Sequence, residues 1–165
     1  MRILIWHYLP AEPNSAYWFW LKGGMEAVGN QVVAIDCHAL MAMFGRQGMQ
    51  HLLIRYAEAY QVQAVIVTQR NQVEPHLLTR MRRMGIAVIM YRFDDGLIAA
   101  PGIAPYPAGD WLRTRLYRDA CDLSVTVCRG MVAQAVARGE TPPEYLPLPY
   151  GWQAVSAAVQ PLRPV

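Results

Sequence analysis

Ile3-Leu4-Ile5-Trp6-His7-Tyr8 is a near-continuous apolar run beginning two residues from the amino terminus. A strand with only one covered face would alternate apolar and polar residues. This run does not, so it reads as a strand packed on both sides, as in a parallel sheet. The rest of the chain repeats the pattern. Asn14 and Ser15 are helix-capping types, and a helix runs from them to about Val28, where Gly29 supplies a stop. Val32–Asp36 reads as a second strand. Leu40–Phe44 reads either way, and Gln47–Tyr60 reads as a helix with Leu52, Leu53, Tyr56 and Tyr60 on one face. Ala64–Thr68 is a third strand. Pro75 opens a helix that reaches Met84 and ends at Gly85. Ala87–Phe93 is a fourth strand, Leu123–Val127 a fifth and Tyr145–Leu148 a short sixth. Helices from Asp110 to Arg118 and from Arg129 to Arg138, the latter stopped by Gly139, fall between them.

Strands alternating with helices predict right-handed βαβ units and one parallel sheet. The fold class is α/β, a Rossmann-like doubly wound sheet of about six strands with helices on both faces, in the expected order 3-2-1-4-5-6. That order puts the switch point between strands one and four. A ligand crevice is then expected between the segments 7–15 and 93–108. Residues 96–109 are rich in glycine and proline and form a connection far longer than the usual few residues, which marks a loop with work to do. Residues 1–152 make up the domain and 153–165 a linker or tail.

Composition narrows the classes. The 165 residues are 54% hydrophobic and 16% charged, which excludes a disordered chain. No apolar run approaches the ~20 residues of a membrane span, and Met1–Leu9 is too short for a signal peptide. The net charge of +3 is mild and the arginines are scattered, so no nucleic-acid partner is expected. Three cysteines, Cys37, Cys121 and Cys128, form no CxxC pair, which fits a reducing cytoplasm. Cys37, His38 and His51 lack metal-ligand spacing, so no metal site is expected.

The turn after the first strand, His7-Tyr8-Leu9-Pro10-Ala11-Glu12-Pro13-Asn14, has two prolines and no glycine. A pyrophosphate needs glycines there to approach the backbone. No GxxxxGK[ST] occurs either, so this domain alone is expected to bind no nucleotide cofactor. The third strand ends Thr68-Gln69-Arg70, without the aspartate of a phospho-relay receiver.

Asp94-Asp95-Gly96 follows the fourth strand. Two carboxylates at a crevice can supply a general base or anchor a hydroxyl; the competing reading is a turn cap beside a solvated acid. His7, expected across the cleft, can assist as a base or as a hydroxyl-binding group, or be satisfied by backbone. Arg92 stands just before the acidic pair and can neutralise it. Tyr8, Asn14, Ser15, Arg92 and Gly96 complete the expected substrate-binding set. Asp36, at the end of the second strand, can hold a ribose in nucleotide-binding folds, but without the glycine turn a structural role is expected. In the first helix, Tyr17-Trp18-Phe19-Trp20 reads as core. Ala16, Phe19 or Trp20, Gly23 and Ala27 face the sheet, and Gly23 and Gly24 are expected where the helix packs closely on a strand. Arg80, Arg82 and Arg83 read as a solvated helix face.

Several segments, in this order, carry a family likeness. They are Arg2-Ile3-Leu4-Ile5; Gly29-Asn30-Gln31-Val32; Met84-Gly85-Ile86-Ala87-Val88; Phe93-Asp94-Asp95; Asp122-Leu123-Ser124-Val125-Thr126-Val127-Cys128-Arg129-Gly130-Met131; and Tyr145-Leu146-Pro147-Leu148-Pro149-Tyr150-Gly151. Together they resemble the N-terminal domain of bacterial GT-B glycosyltransferases, in particular the CgeB-like group. Asn30 stands where that family usually has histidine. The resemblance implies the acceptor-side half of an enzyme that moves a sugar from a nucleotide-sugar to an acceptor hydroxyl. It implies Asp94, Asp95 and His7 as catalytic residues, and a small-molecule or glycan acceptor. The nucleotide-sugar donor is then expected on a second GT-B domain or subunit, since the chain stops where the donor domain should begin. No transmembrane segment is expected, and peripheral membrane contact is compatible with the reading. The rival expectation is a non-catalytic binding or assembly domain that retains the scaffold.

Overall fold

The computed structural model describes residues 1–7, 16–67, 73–92, 115–127 and 129–146, with side chains from Leu21 onward in the second of these segments. Six strands and four helices are assigned among them: β1 (Arg2–His7), α1 (Ala16–Ala27), β2 (Gln31–Asp36), α2 (Cys37–Ala59), β3 (Ala64–Val67), α3 (Pro75–Arg83), β4 (Ala87–Arg92), β5 (Leu123–Thr126), α4 (Arg129–Ala137) and β6 (Glu144–Tyr145). Residues 115–119 form a further helical turn. The expected tail, 153–165, lies outside the described residues, as does the 96–109 connection.

All strands pair in parallel, so the α/β, doubly wound class holds. The expected strand order does not. The sheet runs β2-β1-β3-β4-β5-β6, with the third strand beside the first rather than beyond the second. The cause lies in α2. Leu40–Phe44, which read two ways, is helical, and α2 starts directly after β2. It carries the chain back past β1 on the opposite face from α1. The composition of β3 agrees with this place: Ala64-Val65-Ile66-Val67 is wholly apolar and buried throughout, as an interior strand requires. The edge falls to β2, which begins with Gln31 and is only partly buried.

The two faces have separate cores. Leu4, Trp6, Val65, Val67, Val88 and Met90 point toward α2, α3 and residues 117–121. Ile3, Ile5, Ala64, Ile66, Tyr91 and Val125 point the other way, toward Leu21 of α1. Helix α3 shows how local sequence serves this packing. Pro75 occupies its first turn, Leu78 and Met81 are buried, and three arginines sit in its last turn, where the helix dipole favours cations. The apolar stripe of α2 is Met49, Leu53, Ile54 and Ala57. It is turned from the expected one: Leu53 is fully buried, Leu52 and Tyr56 lie at its margin, and Tyr60 is exposed. On α1, Leu21 and Met25 face the sheet while Ala27 is exposed. Among the described residues, a Cβ at Gly23 or Gly24 would meet nothing within 4 Å, so close packing on a described strand does not explain these glycines.

The three glycines expected to stop helices, Gly29, Gly85 and Gly139, do so with positive φ. A fourth, Gly45, has φ 66° and ψ 176° inside α2 and splits it into two arms. That conformation is essentially closed to residues with a Cβ. Three residues on, a Cβ at Gly48 would come within 2.7 Å of the Phe44 Cβ, so the bend is tight as well as sharp.

Candidate functional site

In a doubly wound sheet, ligands bind beside the C-terminal ends of strands, where neighbouring chains leave toward opposite faces. Here that divergence falls between β1 and β3. From β1 the chain passes to α1 on one face, and from β3 it passes to α3 on the other. The expected crevice between strands one and four is therefore corrected by one strand position. β3 intervenes, and two strand spacings separate β1 from β4 by about 10 Å.

His7 is the last residue of β1 and is half-buried. It stands at the divergence itself. Alternation along β1 places it on the same face as Ile3 and Ile5, the α1 side. Its partner across the ladder is Asp36 of β2. Arg92 ends β4 and is 6% exposed. Alternation with Val88 and Met90 places it on the α2–α3 side, and it pairs in register with the fully buried Thr126. Thus His7 and Arg92 share one rim but belong to opposite faces and non-adjacent strands. Tyr8, Asn14, Ser15, Asp94, Asp95 and Gly96, with the turns that carry them, lie outside the described residues.

Asp36 has a local task. One carboxylate oxygen accepts hydrogen bonds from the backbone N–H groups of His38 (2.9 Å) and Ala39 (3.2 Å), capping α2. This agrees with the structural role expected for it. Cys37, next in sequence, is fully buried, and burial, reinforced by the Asp36 charge, pushes its thiol up to about 12. Burial likewise pushes Cys121 up to about 12. Neither is a thiolate at neutral pH, so neither is suited to attack or to bind metal without rearrangement. Among the described residues no group of three His, Cys, Asp or Glu side chains could hold a metal ion. None of their helices is long and apolar enough to cross a membrane.

The opposite rim shows a regularity that sequence reading missed. Asn30, Gln63 and Asp122 each immediately precede a strand, and each closes the sheet there. Asn30 accepts from the Met1 amino group (3.1 Å) and donates to the Met25 carbonyl (3.0 Å). The Gln63 amide oxygen accepts from Arg2 N–H (3.0 Å). Asp122 accepts from Val88 N–H (2.8 Å) and from the Arg82 side chain (2.7 Å). Arg82 is therefore a structural tie rather than part of a merely solvated face. A polar residue directly before each apolar run was the available signal.

Comparison with protein-family models, with curated proteins and with solved structures finds no match to this chain. The functional reading therefore rests on the residues themselves.

Proposed function

We propose that this chain is the acceptor-side half of a glycosyltransferase of the GT-B type, working in the cytoplasm with a second, donor-binding domain or subunit. The observation that supports it is the divergence of β1 and β3 with half-buried His7 at its edge, a ready place for a polar ligand. The order of sequence segments from Arg2 to Gly151 gives that ligand its class. Cys37 and Cys121, buried and in no disulfide, accord with a reducing compartment.

In the proposed reaction an acceptor hydroxyl attacks the anomeric carbon of the sugar. The acceptor oxygen–carbon bond forms as the bond to the nucleoside diphosphate breaks, and the hydroxyl proton passes to a base on this chain. Asp94 or Asp95 is that base or anchors the acceptor, and His7 assists. The segment after β1 contains no glycine, which accords with a pyrophosphate held on the partner domain. Closure of the two halves excludes water and aligns donor with acceptor.

The test is co-purification followed by transfer of labelled sugar from UDP- and GDP-sugars. Transfer is expected only when a donor-binding partner is present, and is expected to be lost when His7, Asp94 and Asp95 are replaced together. Transfer unchanged by that triple replacement removes the proposed site. Saturable UDP or GDP binding by the isolated chain overturns the division of labour. A stable partner complex with no transfer points instead to an assembly domain.

A further inference from the structure

On the α2–α3 flank lies an open groove of about 450 Å³. Its lining includes Arg46, Gln47 and His51 from the second arm of α2, and Glu74, His76 and Arg80 from the start of α3. We infer that this groove binds a phosphate or a small phosphomonoester, independently of any sugar transfer.

The donor inventory is the first reason. Two arginines, two histidines and two glutamines, Gln47 and the already engaged Gln50, converge against a single carboxylate. That carboxylate, Glu74, is already engaged by Arg46. Among the described residues, Gln47, His51, His76 and Arg80 have neither a hydrogen-bond nor an ion-pair partner, so their donors are unspent. The two guanidiniums outweigh the one carboxylate by one positive charge before either imidazole is counted. Arginine presents a planar fork that matches phosphate oxygens two at a time. A cation would meet the two guanidiniums' repulsion, and a phosphate can accept from several of these donors at once.

The backbone adds a second reason. The second arm of α2 starts after Gly45, which has no side chain to cap it, and Glu74 makes no side-chain cap on α3. Both helix starts border the groove, so the positive ends of their dipoles add to the charge of the side chains. The break at Gly45 is where that second arm begins, and Met49 and Leu53 of the arm share a core with Leu78 and Met81 of α3.

The arrangement predicts a particular energetic sign. Glu74 competes with an incoming anion for Arg46. Removing its charge must tighten binding, whereas loss of a merely structural ion pair would not.

Titration of the whole chain with inorganic phosphate, against chloride at matched ionic strength, tests the inference by amide and imidazole NMR. Saturable shifts are expected at His51, His76 and the 46–51 amides, with a Kd of about 1–10 mM. Arg80→Gln should weaken it about fivefold and Glu74→Gln tighten it about threefold, each estimated from one charged hydrogen bond or one nearby charge in a partly solvated site. Both side chains are on the surface, and the amide spectrum itself reports whether each variant stays folded. Shifts absent or equal in chloride overturn the proposal. So does an affinity unmoved by Glu74→Gln in a folded variant.

Discussion

The two rims of the sheet are built by opposite rules. At the amino-terminal rim, Asn30, Gln63 and Asp122 spend their polar atoms on backbone and side-chain groups of neighbouring segments. Parallel strands leave their first amide groups without ladder partners, and a polar residue just before a strand is well placed to satisfy them. At the carboxy-terminal rim Asp36 does similar work for a helix start, with half-buried His7 beside it on β1 and buried Arg92 farther along the same rim on β4. On the neighbouring flank, four polar side chains remain unspent. A rim sewn shut suits stability, and a flank with donors in reserve suits a ligand.

Substitutions can break this contrast. At neutral pH the largest effect is expected from Asp122→Ala, which strands the part-buried Val88 N–H and removes the carboxylate partner of Arg82, leaving it only the Asp119 carbonyl. Loss of a charge-assisted hydrogen bond predicts about 2–3 kcal/mol of destabilisation in urea unfolding, with the phosphate titration of the distant groove unchanged. Gly45→Ala acts near the other rim. It forces a Cβ into a conformation open essentially to glycine alone, at about 2 kcal/mol, and should disturb the groove as well as the midpoint. Asn30→Ala removes two hydrogen bonds that are partly exposed, and about 1 kcal/mol is expected with no effect at the groove.

At neutral pH one more prediction has no effect at all, and above pH 9 it sharpens the contrast by showing what the rims have in common. Cys37 and Cys121 lie toward opposite rims, and burial raises both thiols from 9.0 to about 12. Below pH 9 the folded and unfolded chains both hold these protons, and the stabilisation is intact. Between pH 9 and pH 12 the unfolded chain releases them first, so stability falls as pH rises. Tyr91, raised from 10.0 to about 12 by burial, adds to the same slope. Urea midpoints across that window should decline, and less steeply when both cysteines are alanine. Alkylation of both thiols should require unfolding.

Much of the secondary structure was legible because its signals are local. Apolar runs marked β1, β3 and β4, and Gly29, Gly85 and Gly139 marked helix ends. The site was less so. His7 could be placed at the end of a strand, but its neighbour could not, because adjacency depends on which way a crossover helix turns. The groove joins residues 46–51 to residues 74–80, and its lining has no contiguous motif.

The order of apolar runs and stops by itself determined a parallel α/β sheet, since continuous burial on both faces admits few other arrangements. Only the tertiary structure decided that β3 lies against β1, and with it where the chain diverges. The reason is that α2 begins at Cys37 with no further edge strand before it, and bends at Gly45. A 23-residue bent helix can lay the next strand beside β1, and the wholly apolar β3 gains more burial there than at an edge.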